Sequence, residues 1–286
     1  MKTERYINLP YYEFGVIRAL INSYSGIFFE DRDLKILEQK LQKRLIELEI
    51  TSFREYISLL KYNRRKEEEF ESLLNLVTIN ETYFFRENFQ LKAFKEEILP
   101  EYIKERKSKG YSTINIWSAG CSSGEEPYSI AIILKELGLD ADWNINIIGN
   151  DINSAVLQKA RTGIYTTASF RTTDDYYRKK YFEKIDENHY KIRDDIRQMV
   201  TFLKLNLMYS SKIPLLPTFD FVFCRNVIIY FDMESRRKLI DTFYDKLANN
   251  GYLFLGHSET LINISTKLLV ETLKNDLVYK KSKEVL

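Results

Sequence analysis

Along residues 11 to 79 apolar positions recur at helical spacing and form no alternating segment, in text rich in Leu, Lys, Glu and Arg. Leu34, Leu37, Leu41, Leu45 and Leu48 follow one another at intervals of three and four, which predicts one amphipathic helix within an all-helical unit, with Lys40, Lys43 and Arg44 together on another face. The pattern then changes. Ile114–Trp117, Ile145–Gly149, Phe219–Cys224 and Gly251–Gly256 are short apolar runs of the kind that form buried strands, and Glu125–Leu137, Ser154–Arg161 and Glu234–Ala248 have helical patterning between them. Strand alternating with helix predicts a mostly parallel α/β sheet covered on both faces. Between Gly163 and Gln198 the rhythm breaks into Tyr- and charge-rich text, expected to be a small subdomain inserted into the sheet.

Composition narrows the classes. A chain of 286 residues accommodates two compact units, and 44% hydrophobic with 29% charged residues excludes disorder. Lys+Arg 43 against Asp+Glu 41 leaves a net charge of +2, too balanced for a protein-wide grip on nucleic acid or anionic lipid. Arg32 to Lys66 is nevertheless locally basic, and either a solvated helix face or a surface for an acidic protein partner accounts for it. Cys121 and Cys224 are too few for a disulfide framework, His189 and His257 make no His-rich site, and no metal is expected. Met1-Lys2-Thr3-Glu4-Arg5 mixes acid and base where a signal peptide is apolar, and no run approaches the ~20 residues that span a bilayer. A cytoplasmic protein without membrane insertion is expected.

The turn Ser118-Ala119-Gly120-Cys121-Ser122-Ser123-Gly124-Glu125-Glu126-Pro127 joins the first strand of the sheet to its first helix, where open α/β sheets bind cofactors. Its glycines are expected to let a ligand approach the backbone. Neither the dinucleotide nor the P-loop spacing is met, and Glu125 and Glu126 put negative charge at the helix N-terminus, which disfavours a phosphate. The acids alone also fit simple complementarity to the helix dipole. Asp151, at the end of the next strand, suits the two hydroxyls of a ribose, though an Asp there is also a common helix cap. Together they suggest an adenosyl ligand with an ammonium and no phosphate, such as S-adenosylmethionine. The five prolines are never adjacent, so the proline-pair motif of enzymes that methylate base amines is absent. Arg225-Asn226-Val227-Ile228-Ile229-Tyr230-Phe231 instead places a guanidinium, an amide and a phenol at the end of a strand, a set suited to a carboxylate acceptor.

On these residues the chain resembles the chemotaxis receptor glutamate methyltransferases, the CheR family. The matching stretches are Asn80-Glu81-Thr82-Tyr83-Phe84-Phe85-Arg86, Trp117 through Ala131, Asp151 through Tyr165, Asp220 through Phe231 and Gly256-His257-Ser258-Glu259, in the family's order. The resemblance implies an all-helical receptor-docking domain over 1–78 and a class I, Rossmann-like methyltransferase domain over 79–286, with a β-subdomain inserted at about 163–198 and the last strand antiparallel. It implies that Asn80, Thr82, Arg86, Gly120, Glu126, Asp151, Asn206, Leu207, Asn226 and Val227 bind S-adenosylmethionine. Glu126 would take the ammonium and Asp151 the ribose. Arg86, Arg225 and Tyr230 would face the acceptor glutamate, Lys40, Lys43 and Arg44 would dock the acidic receptor helices, and His257 would be structural. The implied product is a glutamate methyl ester. A class I methyltransferase acting on a small carboxylic acid, or a silent cofactor-binding adaptor, are the alternatives. A monomer is expected. In the stretch Tyr181 to Arg193, where some members bind a receptor's C-terminal pentapeptide by strand addition, this sequence has no glycine, and independence from that peptide is expected.

Overall fold

The computed structural model describes residues 6–209 and 211–282. Four helices come first: α1 (Tyr11–Ser25), α2 (Leu34–Glu47), α3 (Phe53–Tyr62) and α4 (Lys66–Val77). They close around Phe14, Ile17, Leu37, Leu41, Leu45, Tyr56 and Leu73, all fully buried. The leucine stripe on α2 is therefore the core face at its centre, while its ends, Leu34 and Leu48, are half-buried. Local chemistry sets the boundaries. Left-handed Gly26 stops α1, and α3 starts where Ser52 Oγ accepts the N–H of Glu55 while the Glu55 side chain accepts the N–H of Thr51.

The sheet region opens with α5 (Asn88–Ala93), which runs through one π turn into α6 (Leu99–Ser108). Then come β1 (Thr113–Ala119), α7 (Glu125–Glu136), β2 (Asn144–Asp151) and α8 (Ser154–Thr162). The inserted segment holds β3 (Ile164–Thr166), α9 (Asp175–Tyr181), β4 (Phe182–Lys184), β5 (His189–Ile192) and α10 (Asp194–Arg197). The chain finishes with β6 (Val200–Lys204), β7 (Phe219–Cys224), α11 (Met233–Lys246), β8 (Leu247–Leu255), β9 (Leu268–Thr272) and β10 (Leu277–Lys281). Strand order is β6-β2-β1-β7-β8-β10-β9, and the first five strands are parallel. The last strand, β10, lies antiparallel between β8 and β9, and β3-β5-β4 form a separate antiparallel sheet. This is the parallel sheet with antiparallel last strand and inserted β-subdomain that the resemblance implies.

Both faces of the parallel strands are buried, which is why they have apolar runs rather than alternation. Ile114, Ile116, Phe221 and Phe223 face one layer with α5, α7 and the subdomain, while Trp117, Val222 and Cys224 face α11. β1 has β2 on one side and β7 on the other, so the loops leaving their C-terminal ends diverge and open a cleft between them.

Candidate functional site

That cleft has a volume of about 430 Å³. All twelve residues expected to meet cofactor or acceptor line it: Asn80, Thr82, Arg86, Gly120, Glu126, Asp151, Asn206, Leu207, Arg225, Asn226, Val227 and Tyr230. Phe28, Ile36 and Lys40 of the helical unit form part of its rim, so both parts of the chain contribute to one space.

The turn after β1 is held by protein rather than left open. Gly120 has φ +75°, and a Cβ there would lie 2.5 Å from Val227 Cγ2; Gly124 has φ +93°, and a Cβ there would lie 2.9 Å from Ala160 Cβ. The missing side chains let the turn pack closely, Gly124 against α8 away from the cleft and Gly120 against Val227 in the cleft wall. Asp151 is buried, and its two oxygens accept the backbone N–H groups of Ser122 and Asn153, each at 2.9 Å. Burial raises its pKa, and the N–H bonds oppose the rise. The adjacent acids of α7 diverge. Glu125 is buried on Ser123 and Ser169 outside the cleft, whereas Glu126 lines it, accepting from Ser118 Oγ at 2.6 Å. Burial raises the pKa of Glu126 too, with the charge of Arg225 acting against it. Cys121 and Cys224 are buried, and burial pushes both thiols up, away from reactivity.

The segment between helices and sheet is fixed by its aromatics. Fully buried Phe84 packs on Tyr165, Phe170 and Phe182 of the inserted subdomain, with ring centroids 4.8 to 5.1 Å apart. The next residue, Phe85, donates its N–H to Ser129 Oγ at 3.0 Å. Phe85 and Glu87 both have left-handed backbone, φ +57° and +52°. Such residues cost about 1–3 kcal/mol each and persist where their surroundings over-determine them. Between them sits Arg86, half-buried, its Nη1 donating to the carbonyl of Glu81 at 2.7 Å.

The loop after β7 departs most from expectation. Arg225 lines the cleft, but its side chain is 2% exposed and its guanidinium pairs with Glu126 at 3.3 Å and Glu87 at 3.2 Å while also donating to the carbonyl of Arg86. Protein groups therefore occupy both terminal nitrogens of the guanidinium expected to face the acceptor, while its buried Nε has no partner. Asn206 lies on the wall, yet its amide joins the two parts of the chain: Nδ2 donates to the carbonyl of Tyr24 and Oδ1 accepts from Met208 N–H. Tyr230 is half-buried, and burial raises its pKa while Arg86 pulls it down. Its carbonyl accepts the N–H of Phe28 at 2.8 Å, Ile27 bridges to Phe231, and Asn22 Nδ2 donates to Asp232 at 2.7 Å. The helical unit is thereby strapped to the loop that bears the tyrosine.

The three basic residues of α2 differ in what they touch. Arg44 grips the buried Glu69, with Nη2 to Oε2 at 2.6 Å and Nε to Oε1 at 3.0 Å, and its Nη1 meets Glu47 at 3.0 Å. Lys40 turns inward, donating to the carbonyl of Val77 at 2.9 Å, and burial lowers its pKa. Lys43 is exposed. Sequence reasoning missed Glu87 and Glu259. Glu259 stands in the quoted Gly256-His257-Ser258-Glu259 stretch, but the four backbone groups it accepts are invisible in a sequence pattern.

The sequence matches known proteins over most of its length. Residues 12–78 match the family model described as the CheR methyltransferase all-alpha domain, and residues 80–276 match that of the CheR methyltransferase SAM binding domain. The chain is 39% identical over 270 residues to chemotaxis protein methyltransferase 2 of Vibrio cholerae, covering 94% of this chain and 92% of that protein. It is 35% identical over 257 residues to the chemotaxis protein methyltransferase of Borreliella burgdorferi, with coverages of 89% and 90%. With the Escherichia coli chemotaxis protein methyltransferase, identity is 32% over 274 residues, covering 95% and 91%.

Proposed function

The chain belongs to the CheR methyltransferase family and is an S-adenosylmethionine-dependent methyltransferase, and from that premise we propose that it esterifies the side-chain carboxylates of specific glutamates on the cytoplasmic helices of chemoreceptors. The observation that carries this reading is that one cleft runs from the buried carboxylates Asp151 and Glu126 to Arg86 and Tyr230 and then to a rim formed by the helical unit. Cofactor end, acceptor groups and docking surface share a single space.

The residues fit the cofactor. Asp151 is a buried carboxylate whose bonds come only from backbone N–H groups, leaving lone pairs for ribose hydroxyls, and Glu126 offers a carboxylate to an ammonium. When bound, the cofactor supplies a methyl group on a positively charged sulfur. The chain's own groups then have limited tasks. A glutamate side chain, with an ordinary pKa of about 4.3, is already ionised at neutral pH, so no general base is required. Arg86 and Tyr230 orient that carboxylate. Burial keeps the Tyr230 phenol protonated and hence a donor. The apolar side chains of Phe28, Ile36, Ile79 and Ile229 line the cleft and are solvent-exposed, so an acceptor segment docked against them would shed water and leave the carboxylate less solvated. Arg225 acts on Glu126 and Glu87, setting the cofactor side of the cleft.

Docking in this reading runs along the outer face of α2, with Lys43 facing the acidic receptor helices and Lys40 at the cleft rim. The enzyme works without a receptor pentapeptide. In support, the β4–β5 hairpin is closed without glycine by Asp186, which accepts the N–H groups of Asn188 and His189, both at 2.8 Å. The test is methyl-labelled cofactor with receptor-containing membranes. Base-labile label on receptor supports the reading, label only on small acids points to the small-acid alternative, and cofactor binding without transfer points to a silent adaptor.

A further inference from the structure

We infer that Glu259 is a positioning residue for methyl transfer, acting through the loop that presents Tyr230. This rests on the reading of the cleft as a transfer site. The carboxylate of Glu259 is buried and accepts four backbone N–H groups: Oε2 takes Gly256 at 2.7 Å and Asn226 at 2.8 Å, and Oε1 takes Val227 at 2.8 Å and Ile229 at 3.3 Å. Three of these donors belong to one four-residue stretch of the loop, beginning at Asn226 with φ +59°. Asparagine tolerates that left-handed region better than most side chains, and a carboxylate collecting the N–H groups around it holds the backbone there. Gly256 completes the arrangement, because a Cβ there would lie 2.8 to 3.0 Å from Asn226 and Glu259.

The carbonyl side of the same loop is held by the opposite charge. Arg236 Nε donates to the carbonyl of Phe231 at 2.8 Å and Nη2 to that of Ile229 at 3.3 Å, while the carbonyl of Tyr230 takes the Phe28 N–H. An anion on the N–H groups and a cation on the carbonyls thus fix the backbone on both sides of Tyr230, leaving its side-chain torsions as the main freedom. The nearby charges are otherwise engaged: Arg225 faces Glu126 and Glu87, and Glu87 also accepts from Asn226 Nδ2. A buried carboxylate offset only by backbone dipoles opposes folding through its desolvation, and burial raises its pKa accordingly. Its placement makes sense as the anchor of a loop that must not drift, since a misplacement of about 1 Å at a reacting group costs roughly a hundredfold in rate.

The test is a pair of double-mutant cycles on the full chain. Glu259→Gln keeps the volume but turns an amide N–H₂ toward two of the four N–H donors. It is expected to lower kcat by about ten- to hundredfold with KM for receptor changed less than about twofold. In a Tyr230→Phe background, itself impaired, the same substitution should lower kcat by less than about threefold, because the group it positions is already gone. Arg236→Met should show the same non-additivity, and it decides by the same criteria if Glu259→Gln does not fold. Full multiplication of the two effects overturns the inference while leaving Tyr230 in its role, as does a rise in KM at constant kcat. Undiminished turnover by Tyr230→Phe alone overturns the role of the tyrosine and with it the route through Glu259.

Discussion

Replacing Arg44 by alanine separates a docking residue from a structural one. In the fold, Glu69 has a side chain only 5% exposed and receives Arg44 through Nε and Nη2, with the hydroxyl of fully buried Tyr56 adding a third partner at 2.7 Å. Arg44→Ala strands that carboxylate with the tyrosine alone. Removing one partner of a buried ion pair costs about 3–5 kcal/mol. Arg44 is itself 22% exposed, so water reaches the site and the lower end applies, about 3 kcal/mol. Loss of the outer contact to Glu47 adds less than about 1 kcal/mol. At about 2–4 °C per kcal/mol, the melting temperature should fall by roughly 6–12 °C in scanning calorimetry. Adding Glu69→Gln should recover part of the loss, because the uncompensated charge is then gone. Lys43→Ala, on an exposed position, should stay within about 0.5 kcal/mol of the parent. Lys43→Glu should instead raise KM for receptor and lessen the salt dependence of the rate. An Arg44→Ala protein that melts within about 1 °C of the parent yet binds receptor poorly would refute this reasoning and restore Arg44 to the docking surface.

Asp151→Ala should weaken S-adenosylhomocysteine binding by about 1–3 kcal/mol in calorimetry, through loss of a charged hydroxyl acceptor and loosening of the Ser122 turn. Cofactor affinity should also fall at mildly acid pH. Burial raises the pKa of both Asp151 and Glu126, and each must be ionised to hold its part of the ligand, so the loss begins above the ordinary carboxylate range as pH drops. Because these folded-state values lie above the unfolded ones, the contribution of the same two groups to stability rises as they protonate; titration of affinity and melting temperature together checks that the two move in opposite directions. A free Trp-containing C-terminal receptor peptide should show no saturable micromolar binding by fluorescence titration.

The parts of the fold that were legible in the sequence are those with unambiguous burial. Phe219–Cys224 is flanked by layers on both faces, and its continuous apolar run says so. β6 and β9 escaped because they are the edge strands and mix apolar with polar residues: Val200-Thr201-Phe202-Leu203-Lys204 has no clear period. In the site, Asp151 and Glu126 could be found because their chemistry follows from a position at a strand end or a helix start. The fates of Arg225, Asn206 and Arg44 could not, because each is decided by a partner distant in the chain: Glu87, Tyr24 and Glu69. A helical wheel places Lys40, Lys43 and Arg44 side by side correctly, but it does not show that α4 passes beneath two of them.

The strap between Ile27–Phe28 and Tyr230–Phe231 bears on how freely such a chain can be recombined. A unit that merely recognised a partner could be exchanged for another recognition unit while the reaction stayed the same. Here the helical unit, proposed to dock the receptor, contributes a backbone hydrogen bond to the residue proposed to orient the acceptor, so in this reading substrate choice and turnover share a mechanical part. Chimaeras that graft a foreign helical unit before residue 79 should therefore lose rate unless the segment equivalent to Ile27–Phe28 travels with the loop it braces. The unit of inheritance in this architecture is the braced pair rather than either half.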